Sequence, residues 1–288
     1  MSGQLYLLPC PISEAPALDA LPASTVETAR RIDHFLVEAA RTARATLKAM
    51  GHPKPIAELD IVEIGHDPAP ELISEWLQPV LDGADAAVLS ESGCPGVADP
   101  GAQIAARAHE LGIRVVPLTG PSSILLTLMA SGLDGQRFRF SGYLPKHDAE
   151  RRAAILAAEK ASRASETQLF IETPYRNTAL LDALLETLAP DTRLTVAIDV
   201  TGQNESIRTL TAAAWKAIPK AMRTLPKLPT VFAFLAKPGK TAPRYAPECA
   251  GGKRAHTAPS SKPAVLNNRP KQAYKTHRPE GSPVKTPK

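Results

Sequence analysis

The chain has 288 residues, 34 Lys/Arg against 29 Asp/Glu for a formal net charge of +5, and three cysteines far apart: Cys10, Cys94 and Cys249. That length suggests one or two domains. The odd, scattered cysteines argue against a disulfide framework, no CxxC pair starts a zinc site, and no apolar run approaches the roughly 20 residues that span a bilayer. The charge is unevenly shared: residues 238–288 hold eleven Lys/Arg and two Asp/Glu, which leaves residues 1–237 with a balance of −4.

The opening MSGQLYLLPCPISE carries no basic region followed by a long apolar core, so a cleaved leader is not expected. Strands and helices then alternate. Leu5–Leu8 reads as a strand, Thr25–Arg31 as a helix, His34–Val37 as a strand, Arg41–Met50 as a helix and Ile61–Ile64 as a strand. Over 70–81 the apolar residues Leu72, Ile73, Trp76, Leu77 and Val80 fall close to helical spacing and predict one helix. Ala86–Leu89 is a strand, Ala102–Leu111 a helix stopped by Gly112, Ile113–Leu118 a strand, and Ser123–Ala130 a helix stopped near Gly132. This alternation predicts an α/β fold with a mostly parallel sheet covered by helices on both faces.

A second region follows a hinge near residues 119–135. Phe138–Tyr143, Gln168–Glu172, Leu194–Val200 and Thr230–Leu235 read as strands, and Ala149–Ser162 and Thr178–Leu188 as helices. The expected organisation is an N-terminal α/β lobe (1–120), a C-terminal α/β lobe (121–237) and a basic tail (238–288). The tail has nine prolines and almost no apolar clusters, so it is expected to be disordered. Its charge suits electrostatic contact with RNA or another polyanion, without choice of sequence.

In open α/β sheets, ligands bind beyond the carboxyl ends of strands. Three strand-leaving loops are unusual in composition. Ser90-Glu91-Ser92-Gly93-Cys94-Pro95-Gly96-Val97-Ala98-Asp99-Pro100-Gly101 is a rigid Gly/Pro loop suited to close approach of a nucleoside. Gly96, between Pro95 and Val97, is expected to be its most sensitive point: a valine there should weaken cofactor binding and leave unfolding nearly normal. Leu118-Thr119-Gly120-Pro121-Ser122-Ser123 opens a helix; either serine can cap it, and free amides there favour an anion such as a carboxylate. Glu172-Thr173-Pro174-Tyr175-Arg176 sets a carboxylate, a phenol and a guanidinium beside a strand end, with Arg176 suited to phosphate or to Glu172. There is no GxGxxG, no P-loop and no GxSxG elbow.

Taken in order, SESGCPGVADPG, VVPLTGPSSILLTLMASGL, FRFSGYLPKHDAERR and TQLFIETPYR resemble the tetrapyrrole methylase superfamily, and within it the bacterial small-subunit ribosomal RNA 2′-O-ribose methyltransferases. LYLLPCPISE is similar to the family's first strand and loop, and the likeness covers about residues 4–237. It implies two α/β lobes, S-adenosylmethionine (SAM) in the cleft between them, a homodimer, and an enzyme acting on ribosomal RNA of the small subunit; the scattered cysteines and the absence of a leader-like or bilayer-spanning run lead to the expectation of a cytoplasmic protein. It implies that Pro9, Gly93, Cys94, Gly96, Val97, Gly101, Thr119, Ser122 and Ser123 face the cofactor and that Glu172 to Arg176 border the cleft. Glu172 and Asp99 are the carboxylates available as base, with Arg176 beside them; no metal and no membrane contact is expected. Two stretches depart from the family: Val37-Glu38-Ala39-Ala40-Arg41-Thr42 has one acid where an acidic pair precedes Thr-Arg, and Asp199-Val200-Thr201-Gly202 stands where a Glu-Leu-Thr-Lys-like stretch is expected. The chain therefore looks like a divergent side-branch. A methyltransferase of a tetrapyrrole-like small molecule and a non-catalytic SAM- or RNA-binding module are the alternatives.

Overall fold

The computed structural model describes residues 2–14 and 16–238. The basic segment expected to be disordered lies, beyond Pro238, outside the described residues.

The first sheet has five parallel strands: β1 (Gln4–Leu7), β2 (His34–Val37), β3 (Asp60–Glu63), β4 (Ala86–Leu89) and β5 (Arg114–Pro117), in the order β3-β2-β4-β1-β5. All residues of β2 and β4 are buried, as short continuous apolar strands inside a parallel sheet should be. Alternation along each strand sorts side chains between two cores. Phe35, Val37, Ala87 and Leu89 meet α2 (Ala23–Ala29) and α3 (Ala40–Ala49); Leu36, Ala86 and Val88 meet α4 (Ile73–Trp76), α5 (Gln78–Leu81) and α6 (Ala102–Glu110). A short α1 (Ala17–Ala20), not expected from the sequence, precedes α2.

The helix expected over 70–81 is two short helices, α4 and α5, broken at Leu77. Pro79 lacks an N–H and is tolerated only in a helix's first turn, where α5 places it. The apolar spacing still serves the core, because Ile73, Leu77 and Val80 are all buried against the sheet.

Chain direction then changes layer. α7 (Ser123–Ser131) follows β5 but packs on the second sheet, with Ile124 and Leu128 against Leu169, Val231 and Ala233. The second sheet comprises β6 (Phe138–Tyr143), β7 (Thr167–Glu172), β8 (Arg193–Ile198), β9 (Ser206–Thr211) and β10 (Thr230–Leu235), in the order β6-β7-β10-β8-β9. Only β6 and β7 run parallel; every other pairing is antiparallel. Its other face is covered by α8 (Asp148–Ser162), α9 (Asn177–Thr187) and α10 (Ala212–Ala217) around Phe170, Leu184, Phe232 and Trp215. β9 and α10 were not expected: SIRTLT is an edge strand with only two apolar residues, Ile207 and Leu210, on opposite faces, and α10 begins at a Thr211 cap, whose Oγ1 accepts from Ala214 N at 3.2 Å.

Candidate active site

Strand order explains why distant loops meet. β4, β1 and β5 are neighbours and parallel, so the loops leaving their carboxyl ends (90–101, 8–14 and 118–122) share one rim of the first sheet. They are laced together by backbone hydrogen bonds. Cys10 N donates to Gly93 O at 2.8 Å and Gly93 N to Cys10 O at 3.2 Å. The Cys94 thiol donates to Pro121 O at 3.4 Å.

The second sheet contributes by the same logic with one inversion. β10 runs antiparallel between β7 and β8, so its amino end sits with their carboxyl ends: Thr230 pairs with both Glu172 and Ile198. Glu172, Val200 and Pro229 therefore converge on the first-lobe rim. Ile12 packs into the core shared by α7 and the second sheet, and Ser13 Oγ lies 3.1 Å from Thr201 Oγ1, so the two rims are in contact.

Three adjoining cavities open between these rims. One is lined by Gly93, Cys94, Val97, Ser122, Ser123 and Ile171. The next, about 310 Å³, is lined by Tyr143, Glu172, Thr173, Pro174, Val200 and Pro229. The third, about 380 Å³, is lined by Ser13, Glu91, Asp199, Gly202, Asn204 and Pro229. Ile12 and Ser92 line all three. Neither stood out in the sequence, because each is an ordinary residue made central by strand order.

Of the residues expected at the cofactor, the structure brings Gly93, Cys94, Val97, Ser122 and Ser123 onto one cavity. Val97 keeps 47% of its surface exposed, an apolar side chain facing open space. Ser122 precedes α7 without using its side chain as a cap, so the first-turn amides of α7 receive nothing from it. Pro9, Gly96, Gly101 and Thr119 line none of the three cavities. A side chain on Gly120 would collide with the Pro9 ring, and Thr119 O accepts from Thr25 Oγ1 at 2.7 Å. Gly96 has φ +79° and its N–H donates to Pro100 O at 2.9 Å. A Cβ on Gly96 would lie 3.4 Å from Ala102 N, inside the loop's own closure rather than in the cavity. The geometry around Gly96 alone gives a side chain there a structural consequence within the loop. The cavity-facing glycine is Gly93, at φ +68°, whose Cβ would meet Ile12 Cγ2 at 3.4 Å and approach Pro121 O.

The two candidate carboxylates divide the requirements of a base. Glu172 is on the cavity and its side chain is 1% exposed. Its Oε1 accepts from Thr173 N at 2.8 Å; its Oε2 lies 3.1 Å from Arg176 Nη2, an ion pair set off the hydrogen-bonding direction. Asp99 is half-buried and lines none of these cavities. Burial, with Glu38 and Glu91 adding repulsion against partial relief from His66, pushes its carboxyl up to about 6. Burial likewise pushes the Cys10 thiol up to about 12 and raises the Cys94 thiol, so neither is an activated nucleophile.

The two departures from the family pattern have structural counterparts. Ala39 begins α3 with no side-chain cap, but Glu63 at the end of β3 accepts from Ala40 N at 2.8 Å and supplies one from outside. Glu38 is held by Glu91 N at 2.9 Å. Around Asp199, which has φ +48°, the Asp199 carboxylate accepts from Asn204 N at 2.9 Å and fills the space a Cβ on Gly202 would need. Position 202 is closed to a side chain in this arrangement. Among the described residues, no group of three or more His, Cys, Asp or Glu could hold a metal ion, and no helix is long and apolar enough to cross a membrane.

Comparison with known proteins agrees with this architecture. The family model for tetrapyrrole (corrin/porphyrin) methylases matches residues 17–215. The chain is 29% identical over 201 residues to the ribosomal RNA small subunit methyltransferase I of Neisseria meningitidis serogroup B, covering 70% of this chain and 65% of that protein, a little under two thirds of its length. It is 33% identical over 210 residues to the protein of the same name from Mesorhizobium japonicum, covering 73% and 68%. Among solved structures it is similar in fold to a diphthine synthase (TM-score 0.58, 17% identity, 81% of this chain and 90% of that one) and to the methyltransferase CobJ (TM-score 0.55, 16% identity, 82% and 95%).

Proposed function

The chain belongs to the tetrapyrrole methylase family, and on that premise we propose that it is a SAM-dependent methyltransferase acting on a ribose 2′-hydroxyl of small-subunit ribosomal RNA. The observation that carries the reading is the convergence of Gly93 and Val97 from the first lobe with Ser122 and Ser123 at the start of α7 and Ile171 and Glu172 of β7 from the second on adjoining cavities. The names of the relatives supply the RNA acceptor.

The residues present fit the cofactor. Gly93, whose N–H and C=O are both paired with Cys10, lines the cavity without a side chain beside Ile12 and Pro121 O, which leaves room for a flat nucleoside. The uncapped first turn of α7 offers amides to a carboxylate. Ile12, Val97 and Ile171 supply apolar walls. When bound, SAM supplies a methyl carbon on a sulfonium that is already a good leaving group. This leaves the protein to orient the acceptor oxygen, exclude water and accept one proton. Glu172 stands where a proton acceptor would be reached from the cavity, and Arg176 and Thr173 hold its orientation.

Operation as a cytoplasmic homodimer is part of the same proposal. Leu125 and Met129, one turn apart on α7, and Phe138 on the edge strand β6 are large apolar residues left exposed, as a surface covered by a second copy would be. The decisive experiment supplies labelled SAM to the purified protein with small ribosomal subunits from cells lacking it. Label is expected in ribosomal RNA, at a ribose that becomes resistant to alkaline cleavage. Label in a porphyrin-type acceptor alone, or in nothing, would overturn the reading.

A further inference from the structure

Where the acceptor RNA is held is not answered by the cavities themselves, whose rim carries the carboxylates of Glu14 and Glu91 from the first lobe and of Asp199 from the second. An exposed ring and a cation lie beside another part of the second-lobe rim. Tyr175 follows Pro174, which lines the cavity, and it is 80% exposed, more than any other large hydrophobic residue described. Lys227, just before the cavity-lining Leu228 and Pro229, sets its Nζ 5.1 Å from the centre of the Tyr175 ring.

A single exposed tyrosine usually needs no explanation. This one is held in place. Pro174 restricts the backbone before it, Thr173 N is bound by Glu172, and Arg176 N donates to Thr173 O at 2.9 Å. The Lys227 loop is tied to the same helix start: buried Asn177 donates through Nδ2 to Leu228 O at 2.8 Å and to Thr230 Oγ1 at 2.9 Å, and Leu225 N donates to Thr178 Oγ1 at 3.0 Å. These hydrogen bonds fix the backbone of the two loops that carry the exposed ring and the cation, each next in sequence to a cavity-lining residue. Less backbone ordering is then left to oppose binding.

We propose that Tyr175, backed by Lys227, is a stacking platform for an unpaired nucleobase of the acceptor RNA, with Lys227 meeting the adjoining phosphate. Single-stranded RNA is recognised in this way, by aromatic faces that take any base and cations that follow the backbone. With Lys227 over one face, the other face of the ring receives the base. The assignment of RNA as acceptor rests on the proposed function; the platform itself rests on the ring, the cation and their anchoring.

The test uses the full chain and two probes: a 12-nucleotide oligoadenylate and a polyphosphate of similar charge that has no bases. Tyr175→Ala should weaken oligoadenylate binding about tenfold or more and leave polyphosphate binding unchanged, and Tyr175→Phe should restore it. Lys227→Gln should weaken both probes and reduce the salt slope by about one. With small ribosomal subunits, Tyr175→Ala should raise KM with kcat nearly unchanged, and SAM affinity and thermal unfolding should match the wild type. Unchanged oligoadenylate affinity and KM in Tyr175→Ala would overturn the platform and leave the methyltransferase reading intact. Equal loss for both probes would overturn it as well, since a base would then contribute nothing. Base-dependent loss in a protein that methylates no RNA would keep the platform and sink the proposed function.

Discussion

The two lobes assemble their halves of the site by opposite means. In the first, parallel strands deliver three loops to one rim, and the 90–101 loop is shaped by backbone: Gly93, Gly96 and Gly101 all have positive φ, at +68°, +79° and +130°. In the second, a mixed sheet brings strand ends together through one antiparallel insertion, and side chains hold the loops: Glu172 on Thr173 and Arg176, Asn177 on Leu228, Asp199 on Asn204. A cofactor that must be approached by bare backbone suits the first arrangement. A larger acceptor, met by side chains at the rim, suits the second.

The sharpest way to break this comparison is to add side chains to the first lobe's glycines. Gly93→Val should cut SAM affinity more than tenfold, because it combines a left-handed backbone with a side chain in the cavity. Gly96→Val should instead cost about 1–2 kcal/mol of stability, because a β-branched residue is strained at φ +79° inside the loop's own closure, with weaker binding as a consequence. Calorimetry for binding and thermal unfolding of each variant separate the two. Equal profiles for the two variants would mean that the loop acts as one unit and that Gly93 has no special role.

In the second lobe the corresponding change removes a side chain. Glu172→Ala leaves Arg176 and the Thr173 amide without their partner, and should cost about 1–2 kcal/mol in denaturant unfolding after allowance for Arg176 being 31% exposed. Glu172→Gln, which keeps the shape, should separate this structural cost from any loss of methyl transfer.

A smaller effect should follow from Asp99. Its carboxyl, raised from 3.8 to about 6, binds a proton more tightly in the folded chain than in the unfolded one. The stability it contributes is therefore complete below about pH 4 and lost as pH rises through about 6. Asp99→Asn should match the wild type's Tm near pH 4 and exceed it by a few degrees near pH 7.5, in thermal melts across that range. A constant difference at every pH would mean that the Asp99 carboxylate is not destabilised by its neighbours.

The smallest expected effect concerns α3. Glu63→Ala should cost about 1 kcal/mol in denaturant unfolding, as loss of a helix cap does, although residue 63 is far from α3 in sequence. No loss would mean that water replaces the cap without penalty.

Element type and order were legible from the sequence because they depend on local chemistry. Short apolar runs such as HFLV and AAVL between turn residues read as buried strands, Gly112 and Gly132 stop helices, and the Gly/Pro loop at 90–101 announces the left-handed backbone found at Gly93, Gly96 and Gly101. Together with the ordered motifs, these residues sufficed for the two-lobed α/β class, and the family match bears it out. What tertiary structure alone decided is which strand lies beside which. No local pattern states that β1 lies between β4 and β5, or that β10 runs antiparallel between β7 and β8, since those choices depend on how whole layers pack. Strand order in turn makes Ile12 and Ser92 central to the cavities and sets Lys227 against Tyr175, a contact that spans 52 residues of chain.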